Sequence, residues 1–315
     1  MEHCNKEFAV GIDIGGTNTD IGLVNAQGNC LSRANLPTSK YDDVEIYVDD
    51  LTNEIRKLLS DNNLSIEDIA GVGIGAPNGN FYTGSIDYAP NLKFKGRILL
   101  KEMMETRLHT HVELTNDANA AALGEKVYGG AKAMNDFILI TLGTGVGSGI
   151  YINGQMVYGH DGFAGELGHA ILYPNGRTCS CGRAGCLEEY ASARGIIQTY
   201  KELCSEKGIT YDEGVTCKEL TAMADGGDAT AQKTWEVTAR HLALALSNAV
   251  TFSSPEAIFL MGGPVRAGHW LLEPLKRYFD EFNLSIFKGK TKILTSQLPA
   301  NNAAILGAAA LVVNK

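Results

Sequence analysis

The stretch that decides the fold reads Phe8-Ala-Val-Gly-Ile-Asp-Ile-Gly-Gly-Thr-Asn-Thr-Asp-Ile-Gly-Leu-Val-Asn25. It indicates a β-hairpin, with a strand at Phe8–Ile14, a turn at Gly15–Asn18 and a returning strand at Thr19–Val24. A glycine turn either serves backbone geometry alone or exposes N–H groups that hold a phosphate. Taken alone, the hairpin leaves both interpretations open.

A phosphate site at this turn would use its glycines and the donors beside them, which makes Gly15, Gly16, Thr17 and Asn18 the candidates. Asp13 lies just before the turn, where a carboxylate can hold Mg²⁺ directly or through water.

A similar pattern recurs in the second half of the chain, where an apolar run ends in Gly143-Thr144-Gly145. Aligning Leu142-Gly143 with Ile14-Gly15 also aligns Asn153 with Asn25. This internal repeat predicts two similar domains whose glycine turns grip a polyphosphate from both sides of a cleft. A third strand ends in Gly262-Gly263, where backbone without side chains would let a flat base approach closely.

Strands and helices alternate through the rest of the chain, which favours an α/β fold. Helices are predicted at residues 42–60, 97–108, 187–207, 228–252, 268–282 and 301–312. An alanine-rich helix follows Asn116-Asp117. Asp117 stands at the junction of strand and helix, where it would serve equally well as a helix N-cap or as a chemical group.

A cluster of metal-binding residue types lies between Glu166 and Glu188. Its candidate ligands are His169, Cys179, Cys181 and Cys186. One imidazole and three thiolates suit tetrahedral zinc, and four protein ligands make the site structural. Disulfides fit less well, because Cys179 and Cys181 are too close in sequence to pair comfortably and one cysteine would remain. A nucleic-acid zinc ribbon would need a second cysteine pair and basic surroundings.

Composition points to an ordinary globular protein of 315 residues, with 44% hydrophobic and 20% charged residues. The net charge of −9 argues against non-specific binding to nucleic acid or anionic membranes. The apolar run at residues 303–313 is shorter than the roughly 20 residues of a membrane span. The first residues lack the features of a secretory signal, so we expect a cytoplasmic protein. The remaining cysteines, expected to be plain thiols, are Cys4, Cys30, Cys204 and Cys217.

Together these motifs resemble the ROK family (repressors, open reading frames and sugar kinases), and within it the bacterial glucokinase-like enzymes. The resemblance covers the chain from Phe8 onward. It implies the actin-like ATPase (ribonuclease H-like) fold, with two α/β domains around a central cleft. The expected domains are residues 1–116, joined by a C-terminal helix at 301–315, and residues 117–300 with the zinc loop.

The resemblance also implies a role for each motif. Asp117 would be the general base for phosphoryl transfer from MgATP, with structural zinc nearby. His169 would bind zinc with one ring nitrogen and sugar with the other. The expected sugar contacts are Asn78, Asn116, Asp117, Glu166, His169 and Glu188. The nucleotide and its phosphates would contact Asp13, Gly15, Gly16, Thr17, Asn18, Gly143, Thr144, Gly145, Gly262 and Gly263.

The expected substrates are ATP and a hexose, foremost glucose at its 6-hydroxyl. N-acetylmannosamine, fructose and other hexoses stay open, because the same carboxylates can hold several sugars. A sugar-responsive repressor is the alternative from another class, but the first strand begins near Phe8 and leaves no room for a helix-turn-helix. The resemblance further implies a homodimer or a higher homo-oligomer, with no nucleic-acid or membrane partner.

Overall fold

A computed structural model describes residues 6–313, so the predicted plain thiol Cys4 lies outside the described residues. The chain forms two compact units. The first unit comprises Met1–Met134, Met156–Ala164 and Gln297–Lys315, and the second comprises Asn135–Gln155 and Gly165–Ser296.

The strands, in chain order, are β1 (Phe8–Ile14), β2 (Thr19–Asn25), β3 (Cys30–Leu36), β4 (Ile69–Ala76), β5 (Gly79–Asn80), β6 (Ser85–Asp87), β7 (Arg97–Ile98), β8 (Val112–Asn116), β9 (Phe137–Leu142), β10 (Val146–Ile152), β11 (Gln155–Met156), β12 (Ala257–Gly262) and β13 (Lys292–Thr295). The α-helices are α1 (Val44–Asp61), α2 (Leu100–Leu108), α3 (Asp117–Val127), α4 (Glu188–Ala191), α5 (Ala193–Glu206), α6 (Cys217–Asp225), α7 (Ala229–Ser253), α8 (His269–Phe282) and α9 (Ala303–Val313).

The first unit is built on a five-stranded sheet in the order β3-β2-β1-β4-β8. The predicted hairpin is confirmed as the antiparallel pair β1–β2, while β4 runs parallel to both β1 and β8. Asp13 pairs with Gly75, and Ala76 pairs with Asn116. The carboxyl ends of β1, β4 and β8 therefore meet at one edge of the sheet, where ligands of open α/β sheets bind.

The second unit repeats this topology in the sheet β11-β10-β9-β12-β13. Its hairpin β9–β10 is antiparallel, and β12 is parallel to β9 and β13. Leu142 pairs with Gly262, so the turn after β9 and the loop after β12 leave the same edge of the sheet. The internal repeat in the sequence thus corresponds to a repeated sheet.

Helix α9 packs on the first unit at glycine positions of β1 and β4. A Cβ added to Gly73 would lie 1.8 Å from the carbonyl oxygen of Ala308, and one added to Gly11 would lie 2.1 Å from that of Ile305. Only hydrogen atoms fit in this space, so the two glycines set the close approach of helix and sheet. Helix α3 packs against α9 as well, and the unit therefore extends past the predicted limit at residue 116.

Two predicted helices differ from the structure. The predicted helix at 97–108 begins only at Leu100, because Arg97–Ile98 pairs with β6 as a short strand. The predicted helix at 187–207 is broken at Ser192, which adopts an extended conformation. The Ser192 hydroxyl accepts the N–H of Gly195 and caps α5, so a polar side chain ends one helix and starts the next.

Apolar side chains fill a separate core in each unit, and Trp235 is fully buried in the second core. Among residues 6–313, every helix is too short or too polar to span a bilayer.

Candidate active site and metal centre

The turn after β1 stands at the carboxyl edge of the first sheet. A hydrogen bond closes this turn, in which the N–H of Gly15 donates to the carbonyl of Asn18 over 2.9 Å. Thr17 and Asn18 are exposed, so their side chains are accessible to a ligand. A Cβ on Gly16 would lie 2.6 Å from the Asn91 carbonyl oxygen, which gives this glycine a packing reason besides any phosphate contact.

Asn116 and Asp117 lie at the same edge, and their side chains have different hydrogen-bond partners. The Asn116 side chain accepts the N–H of Asn119 over 2.7 Å and caps α3. Asp117 is the first residue of the helix, and its carboxylate accepts the N–H of Ala118, the next residue, instead of an N–H farther along the first turn. Since Asn116 is the cap, the capping interpretation of Asp117 is wrong, and its carboxylate is available for chemistry.

The electrostatics of this edge raise the pKa of two carboxyl groups. Burial, followed by the charges of Asp117 and Asp20, raises the pKa of Asp13 to about 6. Asp117 has an exposed side chain, yet the surrounding protein removes enough water to raise its pKa as well. Gly75 pairs with Asp13 and lies against Asp117, which brings the two carboxyl groups together. A cation at this place would relieve their repulsion.

Asn78 follows β4 with a left-handed backbone, at φ +51°. Asparagine tolerates this conformation better than other side chains apart from glycine. The Asn78 side chain donates to the carbonyl of Asp87 over 3.0 Å, and the N–H of Asp87 donates back to the Asn78 carbonyl. The residue thereby fixes the loop that follows β4, and a sugar contact from its side chain stays a prediction.

The second unit places its glycines at one edge in the same way. The N–H of Gly143 donates to the carbonyl of Gly145 over 2.9 Å, and Thr144 between them is exposed. Gly262 has φ +113°, and a Cβ there would lie 2.0 Å from the Leu142 carbonyl oxygen, so packing against β9 requires this glycine. Gly263 has open space around its Cβ position.

The four predicted zinc ligands form a compact cluster in the second unit, with one donor atom of each within 4.8 Å of the others. The sulfurs of Cys181 and Cys186 lie 3.6 Å apart, and His169 Nδ1 lies 3.7 Å from the Cys179 sulfur. Thiolates at about 2.3 Å from a tetrahedral zinc ion are about 3.8 Å apart. The donor set and its spacing therefore fit zinc, and all three cysteines are free thiols rather than disulfides.

Thiol chemistry in the cluster also suits a cation. The backbone N–H of Arg183 and neighbouring groups lower the pKa of Cys181 to about 6, which favours its thiolate. Burial raises the pKa of Cys179 to about 12, so its thiolate needs a positive charge beside it.

The loop that carries the cysteines is held by two arginines that the sequence interpretation did not include. Arg177 donates to the carbonyls of Glu189 and Gly195 and pairs with Glu202 on α5. Arg183 donates to the carbonyl of His169 over 2.8 Å. These bonds order the loop around the histidine.

The predicted sugar contacts of the second unit start close to this cluster. Glu166 is exposed and immediately precedes the short 3₁₀ helix Leu167–His169. The Glu188 carboxylate is mostly buried and accepts the N–H of Val146 over 3.0 Å. Arg194, also missed from the sequence, lies beside it with Nη2 3.8 Å from Glu188 Oε1. The sequence signal for this ion pair was the acidic pair Glu188-Glu189, which an arginine follows within two helical turns.

Asn80 is a further residue that sequence interpretation missed. It is 2% exposed, and its side chain donates to the carbonyl of Asp161 over 2.6 Å. Tyr82 donates to the carbonyl of Gly159, and Phe81 stacks on Tyr158 at 4.0 Å. These contacts attach the segment at 156–164 to the loop at residues 80–82 within the first unit. The only sequence signal for these contacts was the presence of aromatic residues beside glycines in the segments at 79–84 and 156–164.

Comparison with known proteins adds to this geometry. The sequence model of the ROK family matches residues 9–315. A glucokinase of Halalkalibacterium halodurans is 35% identical over 98% of this chain and 96% of its own. A xylose repressor of Caldicellulosiruptor bescii is 29% identical, over 98% of this chain and 79% of its own. The crystal structure of a ROK glucokinase from Streptomyces griseus, in complex with glucose and AMPPNP, has a TM-score of 0.81 and 30% identity over 98% of this chain and 100% of that one.

The repeated sheet with helices, together with these matches, defines a protein of the actin-like ATPase fold, and the predicted fold class is confirmed. The chain belongs to the ROK family, as a sugar kinase of the glucokinase-like kind.

Proposed function

We propose that this sugar kinase is an ATP-dependent hexokinase whose substrate is glucose, phosphorylated at the 6-hydroxyl. The observation that carries the proposal is Asp117, whose carboxylate is exposed at the start of α3, is relieved of capping by Asn116 and has a raised pKa. A general base works best when its pKa approaches the working pH, and burial moves Asp117 in that direction. The glucokinase relative supports the choice of sugar.

In the proposed reaction, Asp117 takes the proton of the sugar hydroxyl as its oxygen attacks the γ-phosphorus of ATP. A bond forms between that oxygen and phosphorus, the bond to the β-phosphate oxygen breaks, and ADP leaves. Phosphoryl transfer depends mainly on positioning and charge stabilisation. A single well-placed carboxylate is therefore sufficient as base.

In the first unit, the sugar contacts that we propose are Asn78 and Asn116. In the second unit, they are Glu166, His169 and Glu188. Carboxylates suit sugar hydroxyls because each oxygen can accept two hydrogen bonds. His169 would bind zinc through Nδ1, the nitrogen that faces Cys179, which leaves Nε2 to aim at a hydroxyl.

The nucleotide contacts follow the edges of the two sheets. Asp13 would hold Mg²⁺, which neutralises the charge of the triphosphate when bound, and the rise in the pKa of Asp13 to about 6 supports a cation beside it. The turn at Gly15–Asn18 and the turn at Gly143–Gly145 would contact the phosphates, and Gly263 would lie against the base.

The zinc ion that we propose for the cysteine cluster is structural, since protein atoms supply all four ligands. Its task is to fix the loop between His169 and Glu188. The sugar phosphate would enter glycolysis.

A non-catalytic sugar sensor is the second candidate, favoured by the similarity to the xylose repressor. A coupled assay of ADP release decides between the two, with MgATP and glucose, mannose, fructose, glucosamine, N-acetylglucosamine and N-acetylmannosamine. We expect turnover with glucose above all other sugars. Preference for another hexose would overturn the choice of glucose and keep the kinase. Sugar binding in calorimetry without turnover on any sugar would overturn the kinase and support the sensor.

A further inference from the structure

The Glu188 carboxylate contacts the glycine turn directly, although the two had separate roles in the sequence interpretation. Its Oε2 atom accepts the N–H of Val146, the first residue of β10, over 3.0 Å. The turn at Gly143–Gly145 ends one residue earlier. A residue proposed for the sugar is thus hydrogen-bonded to the residue that directly follows the turn proposed for phosphate.

Gly145 provides the space for this contact. A Cβ on Gly145 would lie 2.5 Å from Glu188 Oε2, whereas a Cβ on Gly143 would meet nothing within 4 Å. Neither glycine has a positive φ, so alanine is compatible with the backbone at both positions. In what an added methyl group would meet, the two glycines of the turn therefore differ only by the carboxylate that lies against Gly145.

The first residue of the turn, Gly143, is hydrogen-bonded to α5, the helix that follows α4. The N–H of Ala193, the first residue of α5, donates to the carbonyl of Gly143 over 2.9 Å. Arg194 pairs with Glu189 at 2.5 Å and lies 3.8 Å from Glu188 Oε1. Glu188 is therefore held by an N–H on one oxygen and by a guanidinium near the other.

We propose that Gly145 is a positioning residue for the sugar, and that Glu188 couples occupancy of the sugar site to the phosphate turn. This inference depends on the proposed sugar contact of Glu188. Sugar hydroxyls that donate to Glu188 fix a carboxylate that already holds the start of β10, which orders the turn for the nucleotide. By linkage, a nucleotide that orders the turn fixes Glu188 for the sugar to the same extent.

The test compares Gly145→Ala with Gly143→Ala, which add the same methyl group to the same turn. Calorimetry of each zinc-loaded variant measures glucose affinity without nucleotide. In Gly145→Ala the methyl displaces the carboxylate, and we expect glucose affinity to fall on the order of tenfold, the usual loss for a hydrogen bond to a charged group. In Gly143→Ala we expect glucose affinity within about twofold of wild type, since nothing lies near the new methyl.

A second measurement tests the coupling through the affinity for AMPPNP with and without saturating glucose. We expect glucose to tighten AMPPNP binding in the wild type by at least about fivefold, the lower end of typical couplings, and Gly145→Ala to lose most of this effect. Equal loss of glucose affinity in both variants, or unchanged affinity in Gly145→Ala, would overturn the inference. A wild type that binds no glucose and no other hexose of the panel would instead reject the proposed function on which the inference rests.

Discussion

At the scale of single residues, the neighbours Asn116 and Asp117 divide two tasks that either could perform. Both are polar and both stand where α3 begins, but only the Asn116 side chain accepts the N–H three residues ahead. Asn116 is thereby the N-cap of α3, and the carboxylate of Asp117 remains exposed with a raised pKa. The order Asn-Asp is thus well suited to a base placed at a helix start.

Replacing Asp117 with asparagine should separate catalysis from stability. We expect kcat to fall by a factor on the order of 10² or more, because an amide does not take the hydroxyl proton. The melting temperature should hardly change, since Asn116 still caps α3. Steady-state kinetics and thermal unfolding measure both. Asn116→Ala is the matched control and should lower stability by about 1 kcal/mol. Unchanged kcat in Asp117→Asn would remove this residue from the mechanism.

Asp13 should make stability depend on pH in the absence of Mg²⁺. Its pKa is raised from 3.8 to about 6, so the folded protein binds more protons than the unfolded chain between these values. The free energy of unfolding therefore falls as pH rises through this window and then levels off. Asp13→Asn removes the effect.

We expect Asp13→Asn to match wild type near pH 4 and to be more stable above pH 6, by up to about 3 kcal/mol for a shift of this size. Urea unfolding at a series of pH values gives the difference. A difference that is constant with pH would show that Asp13 titrates normally.

At the scale of elements, the loop that carries the proposed zinc ligands is ordered by other residues as well. Arg177 and Arg183 attach it to α5 and to the His169 carbonyl, and the break at Ser192 separates α4, which begins at Glu188, from α5. A metal at the four ligands would then fix His169 and Glu188 from the same small region. The loop therefore connects metal binding to the proposed sugar contacts.

Cys181→Ser should release zinc and weaken sugar binding selectively. A lost ligand usually costs far more metal affinity than a lost outer contact, and outer contacts already cost about 10-fold or more. We expect the KM for sugar to rise by at least about tenfold, with a smaller change in the KM for ATP. Metal analysis and kinetics measure these effects. Cys30→Ser, a thiol of the first unit, is the control and should keep its zinc. A fully zinc-loaded Cys181→Ser protein would contradict the site.

The contact of α9 with the first sheet depends on glycine. Gly73→Ala would place a methyl carbon 1.8 Å from the Ala308 carbonyl oxygen, so helix and strand must separate. Overpacking of this kind costs about 3 kcal/mol, and we expect denaturant unfolding to show this loss. Gly214→Ala in an exposed loop should change stability by about 0.5 kcal/mol at most. Equal stability of the two variants would mean that α9 packs less closely than described.

At the scale of the whole molecule, a ligand of the folded state must stabilise it by mass action. With glucose at about 100 times its Kd, the free energy of unfolding should rise by about 2.7 kcal/mol. The enantiomer L-glucose has the same composition and the wrong shape, and it should have no effect. Thermal unfolding at matched concentrations measures both. Equal shifts with the two enantiomers would point to a solvent effect instead of a site. The predicted homo-oligomer stays a prediction that light scattering in the same samples would test.

The sequence by itself determined the hairpin at residues 8–24, the repeat near residue 142, the cluster of one histidine and three cysteines, and the family. These signals are local, since alternation, glycine turns and ligand spacing are all read from neighbours along the chain. The tertiary structure alone decided that Asn116 caps α3, that a helix breaks at Ser192, and that Glu188 lies against Gly145. Each of these depends on which groups meet in space. Glu188 and Gly145 are far apart in sequence, and a periodic pattern cannot predict that the Glu188 carboxylate occupies the space beside Gly145.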